Sequence, residues 1–178
     1  VQSAVLQDGV VVALGSAADL LVVNETHAAD GCWLTPAFVD LCARLREPGP
    51  KQHGTIASET RAAAAAGFKH LVLPPDTHPV IDHGAVALQV IEKAAAAGHA
   101  KVYPVGALTK GLEGKSLASM GGLKAAGCVG VGQARLPVAN LDTLLRCLEY
   151  ASSMGLTVFF SPEEAALASG CAHDGFMA

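Results

Sequence analysis

The sequence is short of aromatic residues, short of charge, and free of long apolar runs. Aromatic side chains make up 4% and charged ones 16% of 178 residues. Twelve Lys and Arg stand against sixteen Asp and Glu, a net charge of -4. No basic surplus exists to neutralise phosphates, so we expect no nucleic-acid partner. The longest stretch without a charged residue, Tyr150 to Pro162, falls short of the roughly 18–20 apolar residues that span a bilayer, and we expect no membrane segment. The five cysteines, Cys32, Cys42, Cys128, Cys147 and Cys171, form an odd, scattered set without a C-x-x-C pair, which points to a reduced, cytoplasmic protein. The start, Val1-Gln2-Ser3-Ala4, has no positive n-region, so no signal peptide is expected. It also lacks a start methionine, and we expect a piece of something longer.

What is present is apolar and rhythmic. Hydrophobic residues reach 51%, and glycine occurs nineteen times; with so little net charge this composition folds rather than remaining disordered. Four segments repeat one layout of alanine-rich helix, glycine and short apolar strand. The glycines are Gly67, Gly98, Gly127 and Gly155, spaced 31, 29 and 28 apart, each where a left-handed helix C-cap favours glycine. The strands after them are His70–Leu73, Lys101–Val105, Cys128–Val131 and Leu156–Phe160, with an earlier one at Ala37–Leu41. Leu141, Leu144, Leu145 and Leu148 follow helical spacing after a candidate N-cap at Asn140, and Val86, Val90, Ala94 and Ala97 make a similar stripe after Asp82.

Such a βα repeat suits a doubly wound sheet or a (β/α)8 barrel. No G-x-G-x-x-G follows the first strand, which weakens the dinucleotide-binding reading. A complete barrel needs about 250 residues, so this chain would hold about five-eighths of one. The expected architecture is α/β: a partial (β/α)8 TIM barrel of about strands 1–5 over residues 36–178. Residues 1–35 form part of a small β-domain, with strands at Ala4–Leu6, Val10–Leu14 and Leu20–Val23. An open barrel exposes its edges, and self-association into a homo-oligomer is the expected remedy.

Chemistry in parallel βα folds sits beyond the carboxyl ends of the strands. That rule nominates Cys42, Ala43, Arg44, Arg46 and Glu47 after the first barrel strand, then Pro74, Pro75, Asp76 and His78 after the second. Thr109 and Lys110, Gln133 and Arg135, and Ser161 and Glu163 follow the next three. Cys42, Asp76 and His78 carry metal-binding atoms, but they read first as a packed thiol, a turn-forming Asp and a loop histidine. A Cys–His nucleophilic pair would further need a base aligned by a third group. Ser161-Pro162-Glu163-Glu164 reads as helix initiation. Arg46 can grip a carboxylate bidentately, or pair with neighbouring Glu47. His27, His53, His70, His83, His99 and His173 have no ligand-like spacing and read as surface or core residues.

The run Pro36-Ala37-Phe38-Val39-Asp40-Leu41-Cys42-Ala43-Arg44-Leu45-Arg46-Glu47-Pro48-Gly49 resembles the first-strand signature of dihydroorotases in the amidohydrolase superfamily, P-G-F-x-D-x-H-x-H-L-R-E-P-G. The likeness continues through Thr55–Ala64, Pro74–Asp82, Thr109–Lys115 and Met120–Gly127, and covers the chain from about Gly9. The resemblance implies a metal-centred (β/α)8 barrel with a small β-domain built from both chain ends. It implies the reversible closure of N-carbamoyl-aspartate to dihydroorotate in pyrimidine synthesis, through a zinc-bound hydroxide.

Several of that family's catalytic letters are replaced here. Its two first-strand histidine ligands fall on Cys42 and Arg44, and a guanidinium there sets a cation where the metal would sit. Its acidic motif after the fourth strand falls on Gly132-Gln133-Ala134-Arg135, and the histidine after the fifth falls on Ser161. Its substrate-contacting asparagine falls on Asp76 or His78, and its general-base aspartate follows an eighth strand that this chain does not reach. Arg46 matches the substrate-carboxylate arginine. The resemblance therefore implies a pseudoenzyme with no catalytic residues, no zinc and Arg46 as the surviving substrate-binding residue. The resemblance further implies the role such chains have in some bacteria, as structural partner of the aspartate carbamoyltransferase catalytic subunit. The alternatives are an active dihydroorotase or other amidohydrolase with an altered metal site built on Cys42, Asp76 or His78, and a module that holds carbamoyl-aspartate or dihydroorotate through Arg46.

Overall fold

An Asp-Gly pair makes the first turn of the described chain. Asp8 and Gly9 take φ values of 51° and 80°, the left-handed geometry of a tight hairpin turn. They join β1 (Ala4–Gln7) to β2 (Val10–Leu14) in antiparallel register, Ala4 opposite Leu14 and Gln7 opposite Val10. A two-turn 3₁₀ helix, Gly15–Leu20, follows. The expected third strand at Leu20–Val23 does not form: Leu21 is extended, but the sheet here has two strands, and no described segment pairs with those residues. A strand needs a hydrogen-bonded neighbour, which β-propensity cannot supply. The computed structural model describes residues 3–138 and 140–162. The chain divides into two compact units between Pro36 and Ala37.

The second unit is built from the βα repeat. Its five strands are β3 (Phe38–Asp40), β4 (Phe68–Leu73), β5 (Lys101–Ala107), β6 (Gly130–Gly132) and β7 (Thr157–Phe159). All pair in parallel and in chain order, giving a curled half-barrel sheet. Between them run α1 (Ile56–Ala65), α2 (Gly84–Ala97), α3 (Met120–Ala125) and α4 (Leu141–Ser153). No described helix is long and apolar enough to cross a membrane.

Local signals place these helices. Thr55 caps α1 in a reciprocal box with Ser58: the Ser58 N–H donates to Thr55 Oγ1 at 3.1 Å and the Thr55 N–H to Ser58 Oγ at 2.9 Å. Asn140 caps α4, accepting from the N–H groups of Asp142 and Thr143 at 2.9 and 3.2 Å. Gly98 ends α2 in the left-handed region at φ 69°, where a side chain would be strained.

The core lies between sheet and helices. Leu71, Leu73, Val102 and Val131 from the strands meet Val86, Val90, Met120 and Leu123 from the helices. Helix α2 buries Val86, Val90 and Ala94 as its spacing predicts, with Ala97 only half-buried. Helix α4 departs from expectation. Its buried residues are Thr143, Cys147 and Ala151, whereas Leu141, Leu145 and Leu148 are 72%, 55% and 40% exposed. Small side chains at every fourth position let α4 approach the sheet closely, so the leucines fall on its flank.

Candidate functional site

The loop after β3 is held by alternate residues. Leu45, Glu47 and Pro48 are buried, and Arg46 between them is exposed, with φ at 63°. Non-glycine residues in that region cost on the order of 1 kcal/mol or more and persist where surrounding contacts over-determine them. Those contacts are visible. Glu47 accepts from the Ile56 N–H at 3.0 Å, at the positive end of α1, and from Lys93 Nζ of α2 at 2.6 Å, with Lys51 Nζ at 3.7 Å. Burial alone would raise the Glu47 pKa, but the hydrogen bonds from Lys93 and Ile56 and the charges of Lys93 and Lys51 outweigh it and hold the carboxyl below its ordinary value. Glu47 is therefore committed to Lys93, and the alternative of an Arg46–Glu47 ion pair is not what forms. Arg46 has no hydrogen bond or ion pair among the described residues.

Arg44 faces the loop after β4. Its Nε donates to Asp76 Oδ2 at 2.9 Å and its Nη1 lies 3.8 Å from Cys42 Sγ. The hydrogen bond to Asp76 raises the guanidinium pKa further, against a smaller opposing effect of burial. The same two loops meet again where the His78 N–H donates to the Pro48 carbonyl at 2.9 Å. The His78 side chain is exposed.

Across the sheet, Thr109 and Gln133 form a buried clamp. The Gly114 N–H donates to Thr109 Oγ1 at 3.0 Å, Thr109 Oγ1 lies 3.0 Å from Gln133 Oε1, and Gln133 Nε2 donates to the Leu112 carbonyl at 2.9 Å. Gln133 is 2% exposed. Both residues were nominated as functional by their place after strands; their hydrogen-bonding capacity is spent inside the protein, so they organise the loop and do not face a ligand. Asp82 does similar work: it accepts from the Gly111 N–H at 2.9 Å and lies 2.7 Å from His83 Nδ1. Burial would raise its pKa, and these partners outweigh burial and lower it. His83, without a side-chain cap bond, is the N-cap of α2.

A cavity of about 240 Å3 opens at the carboxyl ends of the strands. Leu41, Pro74, Pro75, Val105 and Phe159 form apolar walls, and Cys42, Arg44, Arg135 and Ser161 bring polar groups. Arg46 is outside this lining. The sequence pointed to the polar members and to Pro74 and Pro75 through their positions after strands; it missed Leu41, Val105 and Phe159, which read as ordinary strand residues, and Lys93, whose role depends on α2 lying beside Glu47. Lys110 is exposed. Glu163, Glu164, Cys171 and His173 lie outside the described residues. Of the other histidines, His70 Nδ1 lies 3.0 Å from the Tyr103 hydroxyl and His27 pairs with Glu25 at 3.3 Å. Cys32, Cys42, Cys128 and Cys147 are free thiols; burial pushes Cys128 up to about 12 and raises Cys147, so these two act as packing groups.

Zinc needs three or four deprotonated N, S or O donors converging on one point. Among the described residues no three His, Cys, Asp or Glu side chains do so. Cys42 is a single sulfur donor, Asp76 is engaged by Arg44, and the intervening guanidinium repels a cation. The described residues do not fit the metal.

A half-barrel of parallel strands with a loop-built site at their carboxyl ends defines the α/β-barrel class. Residues 31–177 match the dihydro-orotase-like family model, and the chain belongs to that family. A dihydroorotase-like protein of Pseudomonas putida is 46% identical over 174 residues, 97% of this chain and 41% of its own length. A dihydroorotase of Syntrophotalea carbinolica is 46% identical over 155 residues, 86% of this chain and 36% of its own. A dihydroorotase-like protein of Pseudomonas aeruginosa is 42% identical over 171 residues, 96% and 40% respectively. The chain spans about two-fifths of the length of these curated relatives.

Proposed function

We propose that the protein is a dihydroorotase-like pseudoenzyme of pyrimidine biosynthesis, cytoplasmic, and a structural partner of the aspartate carbamoyltransferase catalytic subunit. In this reading its half-barrel is the first part of a (β/α)8 barrel and its exposed sheet edges are covered by self-association. The observation that carries the loss of catalysis is the Arg44–Asp76 ion pair, a fixed cation and its counter-charge standing where the family places a first-strand metal ligand. The partner role rests on the family membership together with that loss. Arg46, exposed on a loop anchored by Leu45, Glu47 and Pro48, is the substrate-binding element that remains. The test is dihydroorotate turnover by the full-length protein with zinc supplied, beside its zinc content and its co-elution with carbamoyltransferase catalytic subunits. Absent turnover, no stoichiometric zinc and co-elution are expected; failure to co-elute overturns the partnership. For Arg46, calorimetry with carbamoyl-aspartate on wild type and Arg46→Ala should show binding only in wild type, and equal or absent binding in both removes that role.

A second reading, an active dihydroorotase with an altered metal site, is favoured by one observation: a relative as similar as any of the dihydroorotase-like ones carries the plain name dihydroorotase. Clear turnover with bound zinc would establish it and remove the first.

A further inference from the structure

We propose that Lys93, on helix α2, is the positioning residue of the Arg46 loop: acting through Glu47, it holds the backbone that presents the Arg46 guanidinium. The inference rests on the reading of Arg46 as a substrate-binding residue. It adds a residue that lies outside both that loop and the strand-end cavity.

Glu47 joins the loop to two helices. Its Oε2 accepts from the Ile56 N–H at the start of α1 at 3.0 Å, and its Oε1 accepts from Lys93 Nζ at 2.6 Å. Both oxygens are committed, and the side chain is only 9% exposed. A carboxylate so withdrawn from water depends on its cation, because removing one partner leaves the other charge uncompensated. Arg46 has little slack beside it. It stands between buried Leu45 and buried Glu47 with φ at 63°. Its carbonyl lies against Gly49, where an added Cβ would come within 3.1 Å of that oxygen. Backbone held in so sparsely populated a region persists only while its surroundings enforce it.

Lys93 is the tie that fixes the loop to the barrel. Lys51 also approaches Glu47 Oε1, but at 3.7 Å, largely exposed, and only four residues along the same segment. A tether within one segment moves with that segment. Lys93 comes from 46 residues away, between Val90 and Ala94, which are buried in the core. Its base is therefore set by the packing of α2 on β5 and α1. Its ammonium is half-buried, where a charge-assisted hydrogen bond holds better than at an open surface. A loop held this way meets its ligand with less ordering left to do.

The loop carries its own reporter. The His78 N–H donates to the Pro48 carbonyl at 2.9 Å, so that amide is protected only while the loop is seated.

The test measures two quantities on the full-length protein: hydrogen exchange at the His78 amide, and calorimetric binding of N-carbamoyl-aspartate. Lys93→Met keeps the length of the side chain and removes its charge. It should speed exchange at His78 and weaken binding by about tenfold, as expected for a loop competent about a tenth of the time. The Val90 amide inside α2 should exchange as in wild type. Lys93→Arg should restore most of both effects, whereas Lys51→Met should change either by about twofold or less. Lys93→Met combined with Glu47→Gln should do no more than Glu47→Gln alone, since one acts through the other. Unchanged exchange at His78 in Lys93→Met, an equal loss in Lys93→Arg, or additive losses in the double variant would overturn the assignment. So would faster exchange with undiminished binding, or faster exchange spread through α2. Absent binding in wild type removes the substrate role of Arg46 itself, and exchange at His78 then decides by itself whether Lys93 holds the loop.

Discussion

Helices α2 and α4 both carry apolar residues at helical spacing, yet α2 turns its stripe into the core and α4 leaves three leucines in solvent. The difference comes from neighbours. Helix α2 is flanked by α1 and α3 and packs on β5, so the stripe of Val86, Val90 and Ala94 is buried, while Leu88 off that stripe is exposed. Against the sheet, α4 uses Thr143, Cys147 and Ala151 instead. An apolar stripe in a βα repeat therefore marks a contact face without saying whether that face meets the sheet or an adjacent element.

Substitutions can break or sharpen this contrast. The largest effect is expected for Val90→Ala in α2, where a fully buried side chain leaves a cavity costing about 2.5 kcal/mol in urea unfolding. Glu47→Gln should cost about 2 kcal/mol, because it leaves Lys93 and Lys51 without their carboxylate. That loss depends on pH. The folded pKa of Glu47 lies below the ordinary 4.5, so the unfolded chain takes up the proton first as pH falls. The stabilisation is complete above 4.5 and disappears as pH drops through the folded value, and wild type and Glu47→Gln should converge in acid. Asn140→Ala removes the α4 cap and should cost about 1 kcal/mol. Leu145→Ala on the exposed flank should change stability by less than about 0.5 kcal/mol. A cost for Leu145→Ala close to that of Val90→Ala would mean that the flank is covered in solution, and the contrast between the helices would fall.

The site shows the same division. The L-R-E-P-G run, Leu45 to Gly49, was legible as a candidate site loop, and the structure shows its alternate burial: Glu47 holds the turn while Arg46 is left outside. Arg44 was legible as a cation at a metal-ligand position. Its attachment to Asp76 was not, because the two are 32 residues apart and join only when β3 and β4 pair in parallel. Gln133 and Arg135 looked equivalent after β6, and two residues of chain separate a buried clamp from an exposed guanidinium. The orientation of each depends on the turn at Ala134 and on Thr109 arriving from another strand.

By itself, the sequence determined the family, the βα order, the caps at Asn140 and Gly98, and the end of the sheet at which the candidate site residues gather. Those are local or additive properties: spacing, capping atoms and strand direction act within a few residues of themselves. Only the tertiary structure decided which face of α4 is buried, which carboxylate Lys93 holds, and which carboxylate Arg44 meets. Those outcomes depend on distant groups brought within a few ångströms, where desolvation and pairing settle the fate of each polar atom.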